Sequence, residues 1–84
     1  MNKAILIKSN DWEGLYINGK LVEEGHTLNQ GYSRIKYFVD LSKKYDFDLG
    51  GMKEKYLCEE DIIVTEDYGN FPESINDFID DYND

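Results

Sequence analysis

Carboxylates are the residues of this sequence with the spacing to do chemistry. Glu59, Glu60 and Asp61 are consecutive, Glu66 adjoins Asp67, and Asp77, Asp80, Asp81 and Asp84 recur at intervals of three and four. Groups arranged this way have three uses. Two carboxyls in unequal environments act as acid and base, oxygens closing around a hard cation hold calcium, and a row of charges can stand in for nucleic-acid phosphates.

The first use needs a concave pocket, which a chain of 84 residues rarely encloses. For the second, Asp46-Phe47-Asp48-Leu49-Gly50-Gly51 opens like a calcium loop. Its fifth position is Gly50 and its twelfth is Leu57, where that loop requires oxygen ligands. The third use needs only periodicity. Side chains three and four apart on a helix stand roughly 5–6 Å apart, comparable with phosphates along a strand, and duplex DNA presents a charge about every 1.7 Å of its axis. The sequence therefore points to Glu59, Glu60, Asp61, Glu66, Asp67, Asp77, Asp80 and Asp81 as a partner-binding surface, with Tyr68 as its aromatic anchor. The plainer alternative is that these acids only keep the domain soluble and monomeric.

Other reactive groups are single. Cys58 is the one cysteine and reads as a small buried hydrophobe; His26, in a Gly-His-Thr turn, is the one histidine. Together they fall short of the four ligands of a zinc site, and neither has the partners of a catalytic triad. There is no phosphate-binding loop or dinucleotide fingerprint, so no catalytic residue, metal or cofactor is expected.

Charge is divided along the chain. Residues 1–45 hold seven basic and five acidic side chains, residues 46–84 two and thirteen, and no basic residue follows Lys55. The basic cluster Arg34, Lys36, Lys43 and Lys44 is weak support for direct nucleic-acid binding at a net charge of -9. The longest apolar run, Ala4–Ile7, is far short of the ~20 residues of a membrane span, and a cytoplasmic single domain, 1–84, is expected.

The elements that must position these groups read as α+β. Lys3–Lys8, Glu13–Ile17 and Lys20–Glu24 predict a three-stranded antiparallel meander, with Asn18-Gly19 as its type I′ hairpin turn. Trp12 reads as a core anchor of that hairpin. A capping box at Thr27–Gln30 opens a long helix over about 28–45, with Tyr32, Ile35, Phe38, Val39 and Tyr45 on its apolar stripe and Tyr37 off it. Residues 52–59 are compatible with a short helix or an extended segment. Ile62-Ile63-Val64-Thr65 predicts a later strand of the same sheet. Pro72 predicts the start of a short C-terminal amphipathic helix, burying Ile75, Phe78, Ile79 and Tyr82 and aligning Asp77, Asp80, Asp81 and Asp84 on the opposite face. That stripe would oppose the helix dipole and carry like charges at i, i+4, at a small cost to stability.

The combination of WEGLYINGK, LVEEGHTL, a helix and a late FPES resembles short proteins of phages and bacterial genomes over most of the chain. That resemblance implies no particular activity, cofactor or site residue. It points towards phage or mobile-element biology, in which small acidic proteins often inhibit host defence nucleases. The expectation is a non-enzymatic module that occupies the basic groove of a nucleic-acid-binding protein. The competing expectation is an accessory protein that self-associates, possible as a homodimer, through an open sheet edge.

Overall fold

A computed structural model describes residues 1–26 and 33–83. The meander forms as its turn chemistry dictates: β1 (Ala4–Lys8), β2 (Glu13–Ile17) and β3 (Lys20–Gly25) pair antiparallel in that order. Asn18 and Gly19 take φ of 52° and 84°, the left-handed pair that a type I′ turn requires.

Beyond the meander the expected antiparallel sheet is corrected. The sheet is mixed, in the order β3-β2-β1-β4, and β4 (Lys53–Tyr56) runs parallel to β1. Direction follows from parity. β3 points the same way as β1, and a helical crossover returns the chain to start its next strand in that same direction. The fourth strand comes from the segment left open at 52–59, not from Ile62–Thr65, which is helical. Lys53-Glu54-Lys55-Tyr56 is polar enough for an exposed edge.

Strand alternation gives the sheet two buried faces. Ala4, Leu6, Leu15 and Ile17 pack under α1 (Arg34–Lys44) with Phe38, Leu41 and Phe47. Ile5, Ile7 and Tyr16 pack on the other face with Leu57, Phe71, Ile75, Phe78 and Tyr82. The second cover is an irregular C-terminal strap, residues 71–82, rather than a helix. Leu21 N donates to Glu73 O and Ile75 N to Gly19 O, at 2.8 and 2.9 Å, so the strap also satisfies the outer edge of β3. Gly14 lies directly against the strap, under Phe71. A Cβ there would stand 2.5 Å from Phe71 Cδ2 and 3.1 Å from Leu21 Cδ1. Gly14→Ala should therefore destabilise the domain by about 1–3 kcal/mol through overpacking, read as a lower urea midpoint at unchanged slope.

The long helix is differently phased than its apolar pattern predicts. The expected capping box and Tyr32 lie outside the described residues, and the described helix starts at Arg34. Ile35 is 76% exposed, whereas Tyr37 faces the sheet. Polar bonds account for the phase. Arg34 makes two hydrogen bonds to Glu13, from Nη1 at 2.9 Å and Nη2 at 2.8 Å, and the Tyr37 and Tyr45 hydroxyls both donate to Glu23.

Candidate functional site

α2 (Glu59–Tyr68) occupies the stretch expected to be a strand. Its ends explain the outcome. Glu59, Glu60 and Asp61 fill the first turn, where the helix dipole favours negative charge. Gly69, at φ 79°, closes the helix in the left-handed conformation as its N–H bonds Thr65 O. These terminal preferences outweigh the strand propensity of Ile62, Ile63 and Val64, which depends strongly on context.

The helix presents an inverted polarity. Its buried side chains are Asp61 and Thr65, while Ile63, Val64 and Tyr68 are exposed. The strap, not α2, supplies the apolar cover of the sheet; Ile62 is the helix's partly buried contribution to that core. The apolar residues on the outer side of α2 consequently have no core to enter.

Asp61 holds α2 to the strap. Its Oδ1 accepts from Ile79 N at 2.7 Å, and its Oδ2 from the Tyr82 hydroxyl at 2.7 Å and Asp80 N at 3.1 Å. Cys58 Sγ donates to the same Oδ2 at 3.4 Å, and Cys58 N donates to the Tyr82 oxygen. Burial pushes the Asp61 carboxyl up, but the bonds from Ile79, Tyr82, Asp80 and Cys58 outweigh it and hold it below the usual carboxylate range. Tyr82 moves the other way: burial, with the Cys58 thiol and the Asp61 carboxylate beside it, pushes its phenol well above the ordinary value, against the opposing bond from Cys58 N. A carboxylate so fully bonded, and 1% exposed, is an anchor. Asp61, expected at the partner-binding surface, stands buried as a structural hub.

The expected C-terminal helix is also corrected. Only Ile75–Asp77 forms a turn, of 3-10 type, capped by the Ser74 side chain, which accepts from Asn76 N. Asp and Asn bond their own backbone in preference to continuing a helix. Asp81 N donates to the Asp80 side chain and Asn83 N to that of Asp81. Ile75, Phe78 and Tyr82 are buried as expected, but Ile79 is exposed. Asp77, Asp80 and Asp81 are exposed without sharing a helical stripe, and Asp84 lies outside the described residues.

Five of the predicted contacts remain together on one element: Glu59, Glu60, Glu66, Asp67 and Tyr68 are all exposed on α2. Between α2 and the strap runs a groove of ≈ 300 Å³ lined by Asp61, Val64, Thr65, Tyr68, Asn70, Pro72, Asp77 and Phe78. Tyr68 and Asp77 thus face one depression from its two sides. Sequence periodicity missed this groove because it assigned Val64 to a sheet. Acids at 59–61 together with Gly69 were the available signal for a helix.

The remaining expectations can be placed. Trp12 is half-buried, its Nε1 donating to Glu24 Oε1 at 3.0 Å and its ring edge-on to His26. Glu24 also accepts from Phe71 N, which ties the hairpin to the strap. Asp48, from the calcium-like loop, accepts from Gly50 N and so caps a 3-10 turn at Leu49–Gly51. Among the described residues, no three His, Cys, Asp or Glu side chains converge as a metal-binding group, and no helix is long and apolar enough to cross a membrane. Charge is segregated across the sheet: α1 carries Arg34, Lys36, Lys43 and Lys44 on one side, and α2 and the strap are free of basic residues on the other.

The edge at β4 bears on self-association. Lys8 bonds Glu54 at 3.2 Å and lies over the Tyr56 ring, so Glu54 and Tyr56 stand on the α1 face. Lys55 reaches Asn83 O on the opposite face. Antiparallel pairing of two β4 edges about an axis normal to the sheet keeps each face continuous. The two registers with the most overlap place Lys55 opposite its own copy, or Glu54 opposite its own copy with Lys53 opposite Lys55. Like charges directly opposite are destabilising.

No family model, curated protein or solved structure matches the chain.

Proposed function

We propose that the protein is a non-enzymatic binding module that inhibits or regulates a nucleic-acid-binding protein by occupying its basic groove. The observation that supports this reading is the outer face of α2. Glu60 and Asp67 are exposed on the face that carries Val64 and Tyr68, and Glu59 and Glu66 on another face of the same helix, within a stretch that has no cation of its own to neutralise them. The corrected geometry moves the centre of the surface from the C-terminal residues to α2. On α2 the exposed acids fall at i, i+1, i+7 and i+8, so Glu59 with Glu66 and Glu60 with Asp67 stand two turns apart, about 10.5 Å along the axis, and the charge row is sparser than the phosphate analogy requires. Tyrosine is enriched at interfaces, where its ring can bury and its hydroxyl stay hydrogen-bonded. Solubility explains the acids but not the exposed Ile63, Val64 and Tyr68 among them, and the β4 edge disfavours the self-associating alternative.

The test is affinity capture from a host lysate at low salt, followed by elution with duplex DNA or RNA. The expected result is a basic nucleic-acid-binding protein, released by the nucleic acid. Converting Glu59, Glu60 and Glu66 to Gln and Asp67 to Asn should weaken its binding about 4- to 1,000-fold, given roughly 0.2–1 kcal/mol for each of four exposed charge pairs. The loss should shrink as salt rises and screens those charges. Capture unchanged by these substitutions, or unaffected by nucleic acid, would overturn the proposal.

A further inference from the structure

The groove between α2 and the strap carries an inference that charge alone does not. Its wall is Val64, 37% exposed, and Tyr68, 78% exposed; its other side is Pro72 and the buried ring of Phe78. At ≈ 300 Å³ it sits at the lower limit of small-molecule sites, about 300–1,000 Å³. It is open along α2, which suits a side chain entering from a surface better than an enclosed metabolite. A surface helix normally turns its apolar stripe to the core, yet here Asp61 and Thr65 take the inward positions and Val64 and Tyr68 line the groove.

The surroundings specify the occupant's charge. On α2, Glu60 lies one turn before Val64, with Asp67 and Tyr68 one turn after it, all on a shared face. Asp77 stands across the groove, and neither α2 nor the strap contributes a basic side chain. We infer that this groove takes one bulky apolar side chain of a basic protein segment, with flanking lysines or arginines meeting Glu60, Asp67 and Asp77. The inference rests on the acidic-surface reading and adds its specificity: phosphate-like charge attracts the partner, and the apolar anchor selects the segment.

Two synthetic peptides of equal positive charge test it, one lysine-rich with a single central tryptophan and one with alanine in its place. The tryptophan peptide should bind about 10-fold or more tighter, the scale set by burying one large side chain, and should retain that advantage in 0.5 M salt. Its binding should shift the amide signals of Val64, Tyr68 and Phe78. Val64→Glu is the discriminating variant. It adds negative charge and a better helix former, so pure electrostatics predicts equal or tighter binding, whereas the groove predicts loss of the tryptophan advantage. Tyr68→Ser, at a position too exposed to matter for folding, should reduce the same ratio. If both peptides bind alike and both variants leave the ratio unchanged, the groove inference is overturned and the acidic-surface reading stands. If neither peptide binds the wild-type protein, both fail.

Discussion

Asp61→Ala should lower the stability of this domain by about 3–5 kcal/mol, because it strands several donors at once. Ile79 N, Asp80 N and the Tyr82 hydroxyl all point at the Asp61 carboxylate in a site that is 1% exposed. Each buried donor left unpaired costs about 1–3 kcal/mol. Against a total of about 5–15 kcal/mol for a small domain, the expected fall in Tm is about 15–30 °C. Asp61→Asn should be milder, since its oxygen can still accept from Ile79 N while its amide faces donors. The pH dependence has a definite sign. Asp61 is held below its unfolded-state pKa, so its contribution is present in full above about pH 4. It is lost as pH falls through the still lower folded value. Urea denaturation from pH 7 to pH 2.5 should show a flatter acid limb for Asp61→Asn than for wild type. Parallel limbs would contradict the assignment of Asp61 as an ionised hub.

Arg34→Leu should cost about 2–4 kcal/mol, the second largest effect expected here. Glu13 is 5% exposed on the α1 face of the sheet, and Arg34 meets both of its oxygens within 2.9 Å. Removing one partner of a buried pair leaves an uncompensated charge, typically about 3–5 kcal/mol. Lys8 Nζ, 3.9 Å from Glu13 Oε2, softens the loss. The double variant Glu13→Leu with Arg34→Leu should recover much of it, because a desolvated pair is often worth little against apolar replacements. A thermal melt of the three proteins decides the matter. If the double variant were no more stable than Arg34→Leu, the loss would reflect the stacking of the guanidinium over Phe38, 4.9 Å from the ring centroid.

Legibility in the sequence followed the range of the forces involved. Asn18-Gly19 fixed its hairpin because turn geometry is decided by two residues. The burial of Ile75, Phe78 and Tyr82 was readable as apolar content, but the helix assigned to them was not formed, because neighbouring Asp and Asn residues bond their own backbone. Ile62–Thr65 was misread where end effects decided: acids at 59–61 and Gly69 favour a helix over the β-branched run between them. β4 was hidden because an edge strand needs little hydrophobicity. The phase of α1 depended on Glu13 and Glu23, partners over ten residues away, which no local window contains. Of the predicted surface, the members on α2 stayed together because sequence neighbours on one helix remain spatial neighbours. Asp61 departed because its bonds run to residues about eighteen positions later.

The division between helix and strap also has a consequence for how this chain can change. On α2, the exposed positions 59, 60, 63, 64 and 66–68 have little to do with closing the sheet. Those beyond the first turn can be exchanged for new side chains and the molecule will still assemble, whereas the acids at 59 and 60 also favour the helix through its dipole. In the strap, the same run of backbone closes an edge, covers a face and feeds Asp61, so almost any exchange is felt throughout. A lineage pressed to follow a shifting partner would find its freedom concentrated in one ten-residue helix. Saturation libraries of α2 should therefore yield folded variants with altered binding far more often than libraries of residues 71–82.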